Sequence, residues 1–422
     1  MGVDGASSTA PLRRVLVVSR YYASDFSARV GGVWQRLRML LEAAAKSADA
    51  LEILFFIDPG MMDGTRPEVA ESSLREHWNI DASVSLAPRA EKRMGPLMQV
   101  LRGSIDFRCQ EDYFRFNGPA QRDAIGARIE RDIELIVAHR LALGAAATGP
   151  VTRAVPVVMD LDDIEHRSLA RQLRRPPHTF DRWLRWLELP ALKRGELGTI
   201  RATRTSLVCS DLDHAYLVTQ GISNTTVIPN VIRFAPPAPI DPNADTTLFF
   251  IGAYGYPPNL DAAEFLVRMI FPLVLRKVPE ARLVLVGDSI EKLPSRALRP
   301  TNVDFVGFVP DLAEAYRRAT VVCCPILAGG GTRIKIIEAA AAGKAVVSTT
   351  IGAEGLDFES ETEILRRDTP ASFADACVAL LQDPVRNRSM GAAAFAKARR
   401  LYDRDRTVDR LVDVFVAAAS RR

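Results

Sequence analysis

Short runs of aliphatic and β-branched residues recur along the whole chain, each bounded by turn residues and followed by an amphipathic stretch of helical period. That alternation admits few folds. A strand whose successor lies beyond a helix-length crossover pairs with it in parallel, so the pattern predicts repeated βαβ units around parallel sheets. Candidate strands are Val15–Ser19, Leu51–Ile57, Leu135–Ala138, Val155–Asp160, Ser206–Cys209 and Thr226–Pro229. A second series runs through Leu248–Gly252, Arg282–Gly287, Val303–Val306, Val321–Pro325, Ala345–Ser348 and Glu363–Leu365. Between the two series lies PNVIRFAPPAPIDPNADTT, with five prolines and little periodicity, which reads as a linker. Expected units are residues 1–232, a linker 233–246, a second unit 247–405 and a terminal helix 406–422.

The chain has 422 residues, enough for two or three units at roughly 100–200 residues each. Its 48% hydrophobic and 25% charged residues are those of an ordinary globular protein and argue against disorder or a disulfide scaffold. A net charge of +4 is too small for the chain as a whole to act as a counterion for nucleic acid. Five cysteines without a CxxC spacing encode neither a disulfide framework nor a zinc knuckle. The first twelve residues lack a basic n-region and a long apolar stretch, so no signal peptide is expected. The longest apolar run, LEILFFI, is far short of the roughly 20 residues that span a bilayer. The expected setting is the cytoplasm.

Residues 161–205 interrupt the strand series. From Arg167 to Arg204 there are ten Arg and Lys against three acids, Asp181, Glu188 and Glu196. This basic helical insert carries Trp183 and Trp186, three apart and so able to share a helix face, beside Arg182 and Arg185. Two readings stand side by side: a solvated helix whose Trp pair packs into the core, and a face toward a membrane surface or an anionic acceptor. The last helix, from about Thr407 to Ala419, is amphipathic through Val408, Leu411, Val412, Phe415 and Val416.

The most informative segment is PILAGGGTRIKIIEAAAAGKAVVSTTIGAEGL, residues 325–356. Gly329, Gly330 and Gly331 follow a candidate strand and lead through Thr332 into a helix expected from about Arg333 to Ala342, closed by Gly343 as a left-handed cap. A glycine loop feeding a helix N-terminus presents unpaired N–H groups and a positive dipole end, a ready phosphate site. Arg333 and Lys335, both expected to be exposed in the first turn, place positive charge where the dipole opposes it, a local conflict that a bound anion would resolve. The Glu338 carboxylate is placed to accept hydrogen bonds from a ribose diol.

This segment resembles the signature of the family 4 glycosyltransferases of the GT-B fold, in particular the branch associated with exopolysaccharide synthesis. In that signature two glutamates separated by seven residues precede small residues, a glycine and an apolar strand. The second glutamate matches Glu338; the first falls on Gly330, so the contact it makes to the donor sugar is missing or supplied by backbone. The resemblance covers most of the chain. FFIGAYGYPPNLDAAEFL is similar to the first strand, loop and helix of the donor domain, placing Gly252 in the loop. That loop often carries Arg and Lys for the diphosphate, and here it has neither up to Asn259, which leaves the task to Arg333 and Lys335. The stretch matching Gly307, Phe308, Val309 and Pro310 lies against the nucleobase in the family, and VIPNVI resembles its hinge.

In the first half, Gly31 and Gly32 match the family's glycine loop, which approaches the transferred sugar and its phosphate. His139 resembles the family's acceptor-domain histidine and closes a strand-like run, where α/β sheets expose ligands. It is expected to lie in a cleft opposite the Gly329–Arg333 loop, with His166 in reserve. Asp160, Asp162 and Asp163 read as loop and cap residues, since no DxD follows a strand in the manner of metal-dependent enzymes.

The resemblance implies two Rossmann-like doubly wound domains facing a cleft, with the terminal helix returning to the first. It implies a retaining transfer of sugar from a nucleotide-diphosphate donor to a glycan or phosphate-linked lipid, in surface polysaccharide or glycoconjugate synthesis. No metal or other cofactor is expected, and the insert would lie on the acceptor side, in peripheral contact with an anionic membrane. The rival readings are a nucleotide-sugar epimerase or phosphorylase of the same fold, and a non-catalytic nucleotide-sugar-binding protein.

Overall fold

All strand pairings among the described residues are parallel. The computed structural model describes residues 12–27, 31–91, 95–129, 131–174, 180–234 and 246–420. The chain forms two compact units, one of residues 1–229 with 405–422 and one of residues 230–404. The expected linker, 233–246, falls mostly outside the described residues.

The first unit contains β1 (Leu12–Ser19), β2 (Ala48–Ile57), β3 (Ser83–Pro88), β4 (Leu135–His139), β5 (Val157–Asp162), β6 (Thr205–Val208) and β7 (Thr225–Val227). They form one sheet in the order β3-β2-β1-β4-β5-β6-β7. The order runs outward from β1 in one direction and then resumes beside β1 with β4, so the sheet is doubly wound, with its switch point between β1 and β4. Helices cover both faces, and Val15, Leu16, Val17 and Val18 of β1 are accordingly all buried, each worth roughly 1.5–3 kcal/mol relative to exposure.

The second unit contains β8 (Thr247–Ile251), β9 (Arg282–Val286), β10 (Val303–Gly307), β11 (Val321–Cys324), β12 (Ala345–Ser348) and β13 (Leu365–Arg366). Its order, β10-β9-β8-β11-β12-β13, repeats the winding with a switch point between β8 and β11.

The terminal helix, Arg404–Ser420, belongs to the first unit from Asp405 onward. Val408, Leu411 and Phe415 are buried, Lys46 pairs with Asp409 at 2.9 Å, and Arg410 donates to the Val227 carbonyl. Just before the chain crosses back, Ile232 and Asp403 form a parallel bridge.

Three sequence expectations change. β3 was not among the candidate strands: SVSLAP is a sheet-edge strand, half exposed and closed by a proline, so it lacks the continuous apolar run that marks its neighbours. Asp160 is neither loop nor cap; it sits inside β5, wholly buried and bonded to Arg36. The insert forms two helices, Glu165–Leu173 and Phe180–Ala202, and its two tryptophans part company. Trp183 is 61% exposed and stacks on Phe180, whereas Trp186 packs against the apolar core of the first unit. Three residues turn a helix by about 300°, enough to put one ring on each side of the boundary between solvent and core.

Candidate functional site

The expected site residues fall in two groups, one at the strand ends of each sheet. In the second unit, β11 leads into the glycine loop. Gly329 has φ +115° and Gly331 φ +64°, conformations that side chains other than glycine rarely adopt. Arg333 is the N-cap rather than the first helical residue, and the helix runs Ile334–Ala341 before Gly343 at φ +67°. The Arg333 guanidinium folds back over the loop, and Nη1 donates to the carbonyls of both Gly330 and Gly331. Its Nη2 is buried without a hydrogen-bond partner. A Cβ built on Gly329 would lie 3.3 Å from that nitrogen and 3.6 Å from the Tyr256 hydroxyl, so glycine keeps open the space that Nη2 faces. Thr332 accepts a 3.0 Å hydrogen bond from Asn230.

Lys335 was expected to be exposed in the first turn, and it is buried. The first turn projects it back over the sheet, where Nζ lies 4.4 Å from the centre of the Phe250 ring and donates to Asn259 Oδ1 at 2.8 Å. Burial, with Arg333 beside it, pulls its pKa down to about 8. Asn259 also donates to the Ala253 carbonyl, and a Cβ on Gly252 would lie 2.8 Å from its Cγ. Gly252 is thus explained by the seat of the asparagine that aims Lys335. Sequence reasoning missed Asn259; its only signal is a position at the start of the helix after the first loop, where polar residues usually cap.

Glu338, one turn further on, accepts a 2.9 Å hydrogen bond from the Tyr316 hydroxyl and is half-buried. Gly307 ends β10 at φ +81° and receives the amide of Gly287. Phe308 is exposed, while Val309 packs on the core.

In the first unit, Gly31 is the N-cap and Gly32 the first residue of the helix Gly32–Ser47. Neither a positive φ nor crowding demands glycine at 31, since a Cβ there would meet only Trp34 at 3.8 Å. No side chain caps this helix, and its first turn carries no acid.

His139 ends β4 at the switch point, wholly buried beneath the Tyr21 ring. Nδ1 lies 3.1 Å from Ser19 Oγ, and Nε2 has no hydrogen-bond partner, with Asp160 Oδ2 at 3.8 Å. Burial and the neighbouring Arg140 hold its pKa well below the usual value, so the ring is neutral. The reserve, His166, has both nitrogens engaged, Nδ1 by Glu196 and Nε2 by the Tyr216 hydroxyl. Glu196 also accepts from the backbone N–H groups of Glu165 and His166, so an acid of the basic insert caps the helix that begins there.

Two buried cations of this unit are neutralised internally. Arg36 meets Asp160 at 2.5 Å and donates to the carbonyls of Ile228 and Pro229, and Arg140 meets Asp162 at 2.5 Å. Glu165 accepts from the Tyr113 hydroxyl; burial and the Glu196 carboxylate push its pKa up to about 7. On the insert, Arg182 donates to the Gln172 carbonyl, and Arg185 lies 3.6 Å from Asp112.

Residues 245–383 match the family model of Glycosyl transferases group 1. Phosphatidyl-myo-inositol mannosyltransferase of Mycobacterium tuberculosis is 30% identical over 233 residues, 50% of this chain and 59% of that protein. The chain therefore spans less than two thirds of the length of the curated relatives it matches. Among solved structures, HepE of Anabaena in complex with UDP and glucose is similar over 95% of this chain and 98% of its own, with a TM-score of 0.64 at 15% identity. Sucrose-phosphate synthase from Thermosynechococcus elongatus is similar over 97% and 100%, with a TM-score of 0.68 at 17% identity. The second unit carries a group 1 glycosyltransferase domain, and the chain as a whole has the GT-B fold of the glycosyltransferases to which it is similar.

Proposed function

We propose that the protein is a retaining glycosyltransferase whose second unit holds a nucleoside-diphosphate sugar and whose first unit receives a glycan or a phosphate-linked lipid. The observation that carries the reading is the state of two cations. Arg333 and Lys335 sit at strand ends, partly or wholly buried, and their hydrogen bonds go to neutral groups, the carbonyls of Gly330 and Gly331 and the side chain of Asn259. Burying a cation whose hydrogen bonds go to no carboxylate is costly, and a diphosphate set against both would offset that cost. As the bond from the anomeric carbon to the phosphate oxygen breaks, charge accumulates on the leaving diphosphate. Lys335 and the free Nη2 of Arg333 are preorganised to receive it, the role a metal ion plays in other sugar transferases.

Around this centre the remaining assignments follow the family resemblance. The exposed Phe308 ring offers a face to the nucleobase, and Glu338 accepts from the ribose while held by Tyr316. Thr332 and the glycine-loop amides border the diphosphate. His139, expected to face the acceptor, is neutral and wholly buried beneath the Tyr21 ring, so we assign it a positioning role through Ser19 and Tyr21 rather than a contact with the acceptor. Relatives support the substrate classes: HepE is described with UDP and glucose, and the mycobacterial protein acts on a phosphatidyl-inositol. We place the reaction at the cytoplasmic face of the membrane, in polysaccharide or glycoconjugate synthesis.

The test is calorimetric titration with nucleoside diphosphates. Arg333→Ala should weaken binding by about 1.5–3 kcal/mol, the scale of a charge-assisted contact, with the melting temperature little changed. Unchanged affinity would sink the phosphate assignment. Product analysis with and without acceptor then separates transfer from epimerisation or phosphorolysis, and binding without turnover across an acceptor panel would indicate a sugar-nucleotide-binding protein.

A further inference from the structure

The first unit also holds a cation whose contacts are neutral. Arg20 is the first residue beyond β1 and Arg140 the first beyond β4, the two strands that flank the switch point. β1 and β4 pair with Val18 opposite Ala138, so Ser19 comes level with His139 and Arg20 with Arg140. Strand ends at a switch point are where doubly wound sheets take their ligands.

The two arginines differ in company. Arg140 meets Asp162 at 2.5 Å, and its N–H donates to the Asp160 carbonyl. Its backbone, at φ +78° and ψ 158°, lies where residues other than glycine rarely go, a strain that collects at ligand sites. Arg20 is half-buried, and among the described residues no carboxylate pairs with it. Its Nη2 donates to the Tyr21 hydroxyl at 3.1 Å, and its guanidinium carbon stands 5.2 Å from the centre of the Tyr21 ring and 5.8 Å from that of Phe116. Rings and a hydroxyl hold the group in place without neutralising it. From further off it feels Glu165 and the like charge of Arg140, a repulsion that a bound anion would relieve. Glu165 itself is engaged by the Tyr113 hydroxyl, and burial and the Glu196 carboxylate push its pKa up to about 7, so in mildly acidic solution it carries no charge.

The neighbouring rings say what kind of anion fits. Tyr21 meets Trp34 edge-on at 6.2 Å, and both side chains are half-buried, so the guanidinium opens beside an aromatic face. A planar guanidinium matches phosphate oxygens in a fork that an ammonium cannot form. Aromatic side chains present a flat apolar body that a sugar or polyol ring can cover. We propose that Arg20 binds a phosphate carried by the acceptor, with Tyr21 and Trp34 against the adjoining sugar or polyol ring, so that the first unit selects phosphorylated acceptors over neutral glycans. The proposal deepens the acceptor reading given above and rests on it.

The experiment is calorimetric titration of the full chain with glucosyl phosphate, inorganic phosphate and glucose, in buffer below the Glu165 pKa of about 7. Arg333→Ala with Lys335→Met serves as the background, so that the second unit does not compete for phosphate. Glucosyl phosphate should bind, inorganic phosphate should bind several-fold more weakly, and glucose should give no measurable heat. Adding Arg20→Gln should weaken glucosyl phosphate by about tenfold or more, the scale of a charge-assisted contact. Arg20→Lys should recover part of that loss, because it keeps the charge without the fork. The melting temperature of Arg20→Gln should stay near that of its parent, since no ion pair is broken. No binding of glucosyl phosphate by the background chain overturns the proposal, as does equal affinity with and without Arg20→Gln. Inorganic phosphate binding as tightly as glucosyl phosphate overturns it too, and would leave a site for a free anion. In the otherwise native chain, Arg20→Gln should not change nucleoside-diphosphate affinity; a loss there would give Arg20 to the donor instead. Failure of the native chain to bind any nucleoside diphosphate would sink the donor reading alone, since the first titration does not depend on it.

Discussion

The two sheets are wound alike, yet two cations near the strand ends of each are treated in opposite ways. In the first unit Arg36 is matched by Asp160 and Arg140 by Asp162, and Glu196 stitches the helix start at Glu165 and His166. In the second, Arg333 and Lys335 are hydrogen-bonded to carbonyls and an amide. A cation with its own carboxylate belongs to the architecture; a cation left with neutral partners has charge to spend on a ligand. The difference teaches more than either region alone, because all four are buried or half-buried cations and their hydrogen-bond partners differ in charge.

The comparison breaks most easily at Arg36. If its pairing is structural, Arg36→Met strands the Asp160 carboxylate in a wholly buried position and should destabilise the first unit by about 3–5 kcal/mol, read by urea denaturation. Arg36→Met combined with Asp160→Leu should recover much of the loss, since a matched apolar pair leaves no orphaned charge. A single variant as stable as the parent would show that the pair does not hold the unit together.

Glu165 gives a smaller test within the same network. Its pKa, raised to about 7 by burial and by Glu196, means that the folded state keeps a proton the unfolded chain has already released. Stability should therefore fall as pH rises from the ordinary carboxyl range through about 7. Glu165→Gln keeps the acceptor for Tyr113 and removes the titration, so the variant should gain roughly 1–2 kcal/mol at pH 8 and lose the slope. Parallel stability profiles for the two proteins would mean that Glu165 does not hold that proton.

What the sequence made legible follows from how local the signal is. The parallel strands could be read because residues buried on both faces form unbroken apolar runs, as in Val15–Val18 and Val321–Cys324. The glycine loop and its cations were legible because three glycines, an arginine and a lysine lie within seven residues. Pairings across long separations were not. Nothing near Asp160 announces Arg36, which is 124 residues away, and nothing near Lys335 announces Asn259, which is 76 away. The same limit explains the expectation of an exposed Lys335. A lysine in a first turn usually reaches solvent, and only the sheet beneath, with Phe250 facing it, reveals that this one points inward.

Lys335 provides the mildest and most specific test, because its charge is conditional where that of Arg333 is not. Held by Asn259 and buried over Phe250, it has a pKa of about 8, so near neutral pH it is protonated and above that it becomes a neutral amine. A diphosphate is attracted to the protonated form. Affinity for a nucleoside diphosphate should thus be highest near pH 7, where the terminal phosphate is largely ionised, and decline by about tenfold one to two units above the lysine pKa, since each unit beyond it costs 1.36 kcal/mol of protonation. Lys335→Met should bind about tenfold more weakly at pH 7 and show no such decline, converging with the parent at high pH. Asn259→Ala leaves the amine without its acceptor and should move the decline to lower pH while sparing binding in acid. A parent whose affinity falls at high pH exactly as Lys335→Met does would place the titration elsewhere, and would leave Arg333 as the cation that distinguishes the second unit from the first.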